Sequence, residues 1–495
     1  MSGLPSGWVR VRLDEIAEVQ GGIQKQQKRR PVDNKFPFLR VANVASGSLD
    51  LRDVHEIELF GGELERFVLR PGDLLVVEGN GSVSQLGRAA RWNGEIENCV
   101  HQNHLIRVRP GPAISTRFLE LLWNSPVVSE QLRSVAASTS GLHTLSTAKL
   151  KRVCISLPPL EEQRRIVAAL EEQLSRLDAA QGNAADMRRK LLAYKASRER
   201  EIVPSPSPDV AEKVLPKEWR MVGLGDISHS SGYGTSTKCG YDGTGSPVLR
   251  IPNIQSGSID AADLKYALDS DLDLQGYKVR AGDLLVVRTN GSRDLIGRVA
   301  VSQQDTDYAF ASYLIRFRIN TDISSPTWVA KVLSTRSWRR LIEAAAASTA
   351  GQYNLNLKKL ASLPIPLPPL QQQHSLAAAL DEIDESVRRL TSAVDDASLK
   401  GDALRRSLLV EAFAGRLVPQ NPADDPADAL LDRIRAEREA AEATKPRRRS
   451  PRRTPAQRKR TPDTAQAPDA PPPPPADAPA LATATQPTLD MEIPS

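Results

Sequence analysis

Aromatic residues are scarce in this chain, at 4% of 495 positions, so its cores must rely on Leu, Val, Ile and Ala. Long apolar runs are absent, and nothing approaches the ~18 consecutive residues that a membrane helix needs. The opening MSGLPSGWVRVRLDE lacks the apolar stretch of a secretory signal. Cysteine is nearly missing. Cys99, Cys154 and Cys239 are odd in number and far apart, which excludes a disulfide framework and fits a reducing cytoplasm. No G-x-x-x-x-G-K-[ST] loop is present to hold ATP. There is also no N/D-P-P-[YF] tetrad or Gly-rich methyl-donor loop. The formal charge of +6 permits a polyanionic partner without demanding one.

What the chain does have is itself, twice. It aligns with itself at an offset of about 210 residues, far longer than a solenoid unit. FLRVANVASGSLD (38–50) returns as VLRIPNIQSGSID (248–260), and RPGDLLVVEGNGSVSQLGRAA (70–90) as RAGDLLVVRTNGSRDLIGRVA (280–300). HLIRVR (104–109) returns as YLIRFR (313–318), and AASTSG (136–141) as AASTAG (346–351). GDLLVV predicts a strand buried on both faces, followed by an Asn-Gly turn. In LIRVR the alternation puts Ile106 and Val108 on one face and Leu105, Arg107 and Arg109 on the other. Residues 116–138 and 326–348 have helical spacing. Each half thus reads as mixed α and β.

A long helix closes each half. SLPPLEEQRRIVAALEEQLSRLD begins at Ser156, and PLPPLQQQHSLAAALDEIDESVRRL at Pro366. Each proline pair marks a helix start, because proline is tolerated in the first turn and refused further in. Steps of four and three link Ile166, Leu170, Gln173, Leu177, Ala180, Ala184, Met187, Leu191 and Tyr194. The second seam runs Leu376, Leu380, Ile383, Val387, Leu390, Val394, Ala397, Gly401, Leu404 and Leu408. Heptads of this length predict that the helices pair with each other, antiparallel, as an approximately two-fold coiled coil. At 1.5 Å per residue each rod is ~60 Å long and would hold two globular halves apart. Pro204, Pro206 and Pro208 interrupt the chain between halves. A short helix is expected after Pro426, and the tail from about Lys445, with KPRRRSPRRTPAQRKR and PPPPP, should be disordered.

The repeat also weakens two apparent sites. Asp73 and Glu78 are spaced like a nuclease pair, but Arg288 replaces Glu78 in the copy and no lysine follows Glu78. His101 and His104 form H-x-x-H, but the copy has Phe310 and Tyr313, so a satisfied strand or loop histidine is the better reading than a zinc ligand.

The duplicated domain, the LPPL-x-x-Q helix closing each copy and the segment LLVEAFAGRLVPQ (408–420) resemble the specificity subunits of type I DNA restriction–modification systems, over roughly residues 1–440. The resemblance implies an α+β architecture. It consists of target-recognition domains at 1–155 and 215–365, spacer helices at 156–202 and 366–418, a linker at 203–214, a C-terminal helix at 419–444 and a tail at 445–495. It further implies a non-catalytic chain that binds double-stranded DNA. Two methyltransferase subunits would dock around the helices, with motor–nuclease subunits joining. S-adenosylmethionine, ATP and Mg²⁺ would be bound by those partners. Helical spacers of fixed length would also set the distance between two DNA contacts. B-DNA rises ~3.4 Å per base pair and repeats every ~10.5, so a rigid spacer fixes both distance and groove phase.

What the halves share cannot explain different half-sites, and what differs can. Shared polar positions are Arg40/Arg250, Asn43/Asn253, Asn80/Asn290, Ser82/Ser292, Arg88/Arg298, Arg107/Arg316 and Arg109/Arg318, for which phosphate contact and plain structure are even alternatives. The divergent segments are the candidates for base readout. In the first half they offer Gln24, Lys25, Gln26, Gln27, Lys28, Arg29, Arg30, Gln85 and His143. In the second they offer Tyr233, Thr235, Ser236, Thr237, Lys238, Arg293, Gln352 and Tyr353. Two rivals stay open at this point. One is a self-contained methyltransferase with an atypical site, which would bind methyl donor alone. The other is a two-domain scaffold for proteins, whose binding would ignore salt and DNA sequence.

Overall fold

The computed structural model describes residues 3–80, 85–139, 142–206, 215–255, 257–349 and 352–443. The chain divides into two units, Met1–Ala436 and Glu437–Ser495. The second is described only through Ala443, the end of a helix that starts at Ala427. The tail 445–495, linker positions 207–214 and Ser82 lie outside the described residues.

In the first half, Ala17–Gly21, Leu105–Pro110, Leu74–Val77 and Ala89–Arg91 form an antiparallel sheet in that order. Ser228–Tyr233, Leu314–Ile319, Asp283–Val287 and Val299–Val301 repeat it. The GDLLVV strand has both faces covered. Leu74 and Val76 pack with Ile106 and Val108, whereas Leu75 and Val77 join a separate cluster with Leu105. A second sheet pairs Lys35–Leu39 antiparallel to His55–Glu58 and parallel to Val100–His101. Its counterpart uses Pro247–Leu249, Lys265–Ala267 and Ala309–Phe310. Residues 116–138 and 326–348 each form two helices, Thr116–Trp123 with Pro126–Val135 and Pro326–Ser334 with Arg336–Ala345. Pro126 starts the second of the first pair, and extended Thr335 separates the others.

Each half ends where it began. Cys154–Leu157 pairs with Val9–Arg12, and Pro364–Leu367 with Arg220–Gly223. Residues 156–157 and 366–367, expected to open the spacers, are therefore strand, and the long helices run Leu160–Ile202 and Leu370–Phe413. The glutamine of LPPL-x-x-Q nails each helix to its domain. Gln163 is fully buried; its Oε1 accepts from the Ser115 N–H at 2.7 Å and its Nε2 donates to the Ala113 and Pro158 carbonyls at 3.0 Å. Gln373 makes the same set with Ser325 N–H (2.7 Å), Ile323 O (3.1 Å) and Pro368 O (2.8 Å). Glutamate would lack the donor and asparagine the reach, and a buried polar group left unpaired is costly.

The two rods pair antiparallel. Asp178 meets Arg405, Gln181 meets Asp402 (2.5 Å), Arg188 meets Asp395 (3.2 Å) and Lys195 meets Asp384 (2.7 Å), one number rising as the other falls. Each rod starts on its own half and finishes on the other. Leu409, Ala412 and Phe413 from the end of the second rod share a core with Ile166, Leu170 and Leu174, and Val203 after the first rod joins Ala377 and Leu380 in the second half. Leu191 and Val387 are buried, while Leu177, Ala184, Leu376, Ile383, Val394 and Leu408 are half-buried. The expected continuous seam needs correction at Met187, Tyr194, Leu390 and Leu404, which are 48%, 52%, 52% and 51% exposed, and at Ala180 and Ala397, which are also exposed. Two helices alone bury only a narrow stripe, and mid-rod the contact is carried by polar pairs instead.

After Phe413, Gly415 turns the chain at φ +73° and an arm returns to the first half. Ala427, Leu431 and Ile434 enter its core, the Ala427 N–H donates to Gly7 O at 3.0 Å, and Asp424 and Arg435 pair with Arg165 and Glu15. Among the described residues no helix is long and apolar enough to cross a membrane.

Candidate nucleic-acid interface

Strand register gathers the divergent segments at one end of each central sheet. Asn80 pairs with His143 in the hairpin Ala137–Thr139/Leu142–Thr144, and Asn290 pairs with Tyr353 in the hairpin that also carries Gln352. The third segment leaves the same end, because Gly21 lies opposite Ile106 and Tyr233 opposite Ile315. Its exit is a close backbone approach. A Cβ on Gly22 would sit 2.3 Å from the His101 carbonyl oxygen, and one on Gly234 would sit 2.2 Å from that of Phe310, so both positions require glycine. The repeat contained this signal, but its cause was invisible without the partner strand.

The divergent residues are mostly open. Gln24, Lys25, Gln26, Gln27, Lys28 and Arg30 are exposed, as are Gln85, Ser236 and Lys238. Thr237 and Tyr353 are half-buried, Tyr233 is 43% exposed, and Arg293 lies 3.7 Å from Glu343. Arg29, Thr235 and Tyr233 are tied to the fold, Tyr233 through its hydroxyl, which accepts from the Leu357 N–H at 3.0 Å. Arg29 grips Glu63 through two 2.8 Å bonds and lies over the Phe60 ring, holding the Glu63 carboxyl at a pKa of about 2. Thr235 is buried and its Oγ1 accepts from the Thr237 N–H.

The shared arginines, by contrast, are paired with the protein's own groups. Arg109 holds buried Asp73 through bonds of 2.6 and 2.7 Å, and Arg318 holds Asp283 at 2.8 and 2.9 Å. A buried carboxylate needs such a partner. Arg107 is 1% exposed, bonded to Glu18 and Gln20, and burial and then the charge of Arg109 push its pKa down. Arg316 donates to the Lys278 and Gly276 carbonyls. Arg88 and Arg298 donate to the carbonyls of Val44 and Ile254, and Arg40 and Arg250 pair with Asp53 and Asp263. Asn43 and Asn253 brace the same turns, and Asn290 accepts from the Ser292 N–H in its own. The described shared arginines thus all have partners within the protein, and Arg107 is buried.

Neither histidine sits in a metal-like cluster, and among the described residues no three His, Cys, Asp or Glu side chains are grouped to hold an ion. His101 is wholly buried with Nδ1 2.9 Å from Leu105 O, and burial pushes its pKa down to about 4. His104 Nδ1 lies 2.9 Å from Glu78 Oε2.

The family model of the type I restriction modification DNA specificity domain matches residues 5–183 and again 216–394. The specificity subunit of the type I restriction enzyme EcoKI from Escherichia coli K12 is 24% identical over 461 residues, covering 90% of this chain and 98% of that protein. The StySPI specificity subunit from Salmonella potsdam is 24% identical over 452 residues, covering 88% and 96%. A chain solved in work on complex assembly and conformational transition of the type I R-M system superposes with a TM-score of 0.67 at 21% identity, covering 84% of this chain and 100% of that one.

Proposed function

The chain belongs to the type I restriction modification DNA specificity family, and on that premise we propose that it is the non-catalytic, sequence-specific DNA-recognition subunit of a type I restriction–modification complex. Each globular half reads one part of a bipartite, asymmetric site, and the paired rods set the gap between the parts. One observation carries this reading. Two halves with the same sheet register present different, open polar loops at the same end of that sheet, while their shared arginines are turned inward. A general polyanion binder would do the reverse and expose its shared cations.

Two methyltransferase subunits dock around the rods, where Met187, Leu390 and Leu404 stand open, and motor–nuclease subunits join them. S-adenosylmethionine, ATP and Mg²⁺ enter through those partners, and the complex works in the cytoplasm. The test is to express the chain with its methyltransferase subunits and map methylated adenines across a genome. A split motif with unequal halves and a fixed gap is expected. A continuous or symmetric motif, or scattered methylation, would sink the reading.

A further inference from the structure

The sharpest chemical difference between the halves sits at the centre of the loop-bearing end. Register fixes the equivalences. Gly21 faces Ile106 as Tyr233 faces Ile315, and Val77 faces Leu105 as Val287 faces Leu314. The next residues are Glu78 and Arg288. Each N–H donates at 2.9 Å to the carbonyl of His104 or Tyr313, and each carbonyl accepts from Leu145 or Leu355, at 2.7 and 2.8 Å. The backbone is the same; the side chains are opposites.

In the first half the triplet is Gly21, Glu78 and His104. The carboxylate and ring are 2.9 Å apart, and their side chains are 30% and 56% exposed. In the neutral tautomer whose Nδ1–H donates to Glu78, the open Nε2 is an acceptor, and the pair then offers acceptors. In the second half the triplet is Tyr233, Arg288 and Tyr313. The guanidinium lies 4.9 Å from the Tyr233 ring centre, with Nε and Nη1 fixed on the carbonyls of Leu355 and Ser312. Arg288 Nη2 makes no hydrogen bond among the described residues, and Tyr233 and Tyr313 are 43% and 54% exposed. Arg288 Nη2 can only donate, and the Tyr233 hydroxyl, which accepts from the Leu357 N–H at 3.0 Å, keeps its O–H to donate, so the Arg288–Tyr233 pair offers donors.

We infer that these aligned positions, Glu78 with His104 and Arg288 with Tyr233, are specificity determinants that demand opposite hydrogen-bond polarity from the base each half meets there. The acceptor pair suits an exocyclic amino group, as on adenine or cytosine, and the donor suits the acceptor edge of guanine. The inference rests on the DNA-recognition reading above.

The experiment uses the full chain assembled with its methyltransferase subunits and compares methylation motifs base by base. Glu78→Gln keeps size and fold and adds a donor. It should cut the preference at one position of one half-site by about tenfold, leaving the other half-site and the gap unchanged. Arg288→Met should do the same at one position of the other half-site. Unchanged preferences in Glu78→Gln overturn the inference for the first half. Unchanged preferences in Arg288→Met, or loss of the entire half-site, overturn it for the second, the latter because Arg288 would then be a strut. A wild-type complex with no split motif would instead break the function reading itself.

Discussion

The two halves share a backbone yet hold the incoming end of the opposite rod by different means. The first half takes the end of the second rod into an apolar socket, where Phe413 meets Phe118 edge-on at 5.4 Å beside Leu409 and Ala412. The second half adds charges at the corresponding junction. Lys195 and Lys331 bracket Asp384, and Glu199 accepts from the Arg336 N–H at 3.1 Å. Duplication has preserved register and the glutamine clamp, whose partners are backbone groups. It has not preserved side-chain junctions, which can change wherever their own neighbours change with them.

The largest expected effect tests whether the halves are independent readers. Exchanging residues 1–155 for those of a relative should replace one half-site completely and leave the other intact in a methylation map; joint movement of both would break the comparison. Next, Phe413→Ala should cost about 3–5 kcal/mol in the first half. Denaturant unfolding followed by hydrogen exchange should show amides around Phe118 losing protection while those around Trp328 do not.

Acid should also separate the halves. Folded His101 takes its proton only near pH 4, and the unfolded residue near 6.5. Its contribution is therefore complete above pH 6.5 and falls as pH drops toward 4, by up to about 3 kcal/mol. The second half carries Phe310 in that place and should lack this slope, and His101→Phe should remove it from the first. The smallest effect is expected from Asp384→Asn. It should cost about 1 kcal/mol, because the group is partly exposed, and should fade at high salt. Salt-insensitive loss would mean that the second junction is not ionic.

Much of this architecture was legible because it was written twice. The offset alignment, the buried GDLLVV strand and the proline-bounded helices rest on local pattern, and their positions follow from it. The rest needed partners distant in sequence. Arg109 and Asp73 look like loop and strand polar residues until the sheet brings them together. The clamp role of Gln163 depends on the Ala113 carbonyl and the Ser115 N–H, about fifty residues earlier. Heptad spacing located the rods but overstated their apolar contact, since spacing cannot say which apolar positions face solvent and not the second helix. Glu78, Arg288, His104 and Tyr313 drew notice only as failed catalytic or metal motifs, and register turned them into a matched contrast.

An α-helix advances 1.5 Å and rotates about 100° with every residue. Because glutamine pins the root of each rod and its tip lies in the opposite half, a single inserted residue would swivel the distant reader off its groove as well as push it outward. The zipped neighbour would have to grow in step. The reach of such a molecule can thus be retuned only in coarse notches, close to whole turns taken by both rods at once.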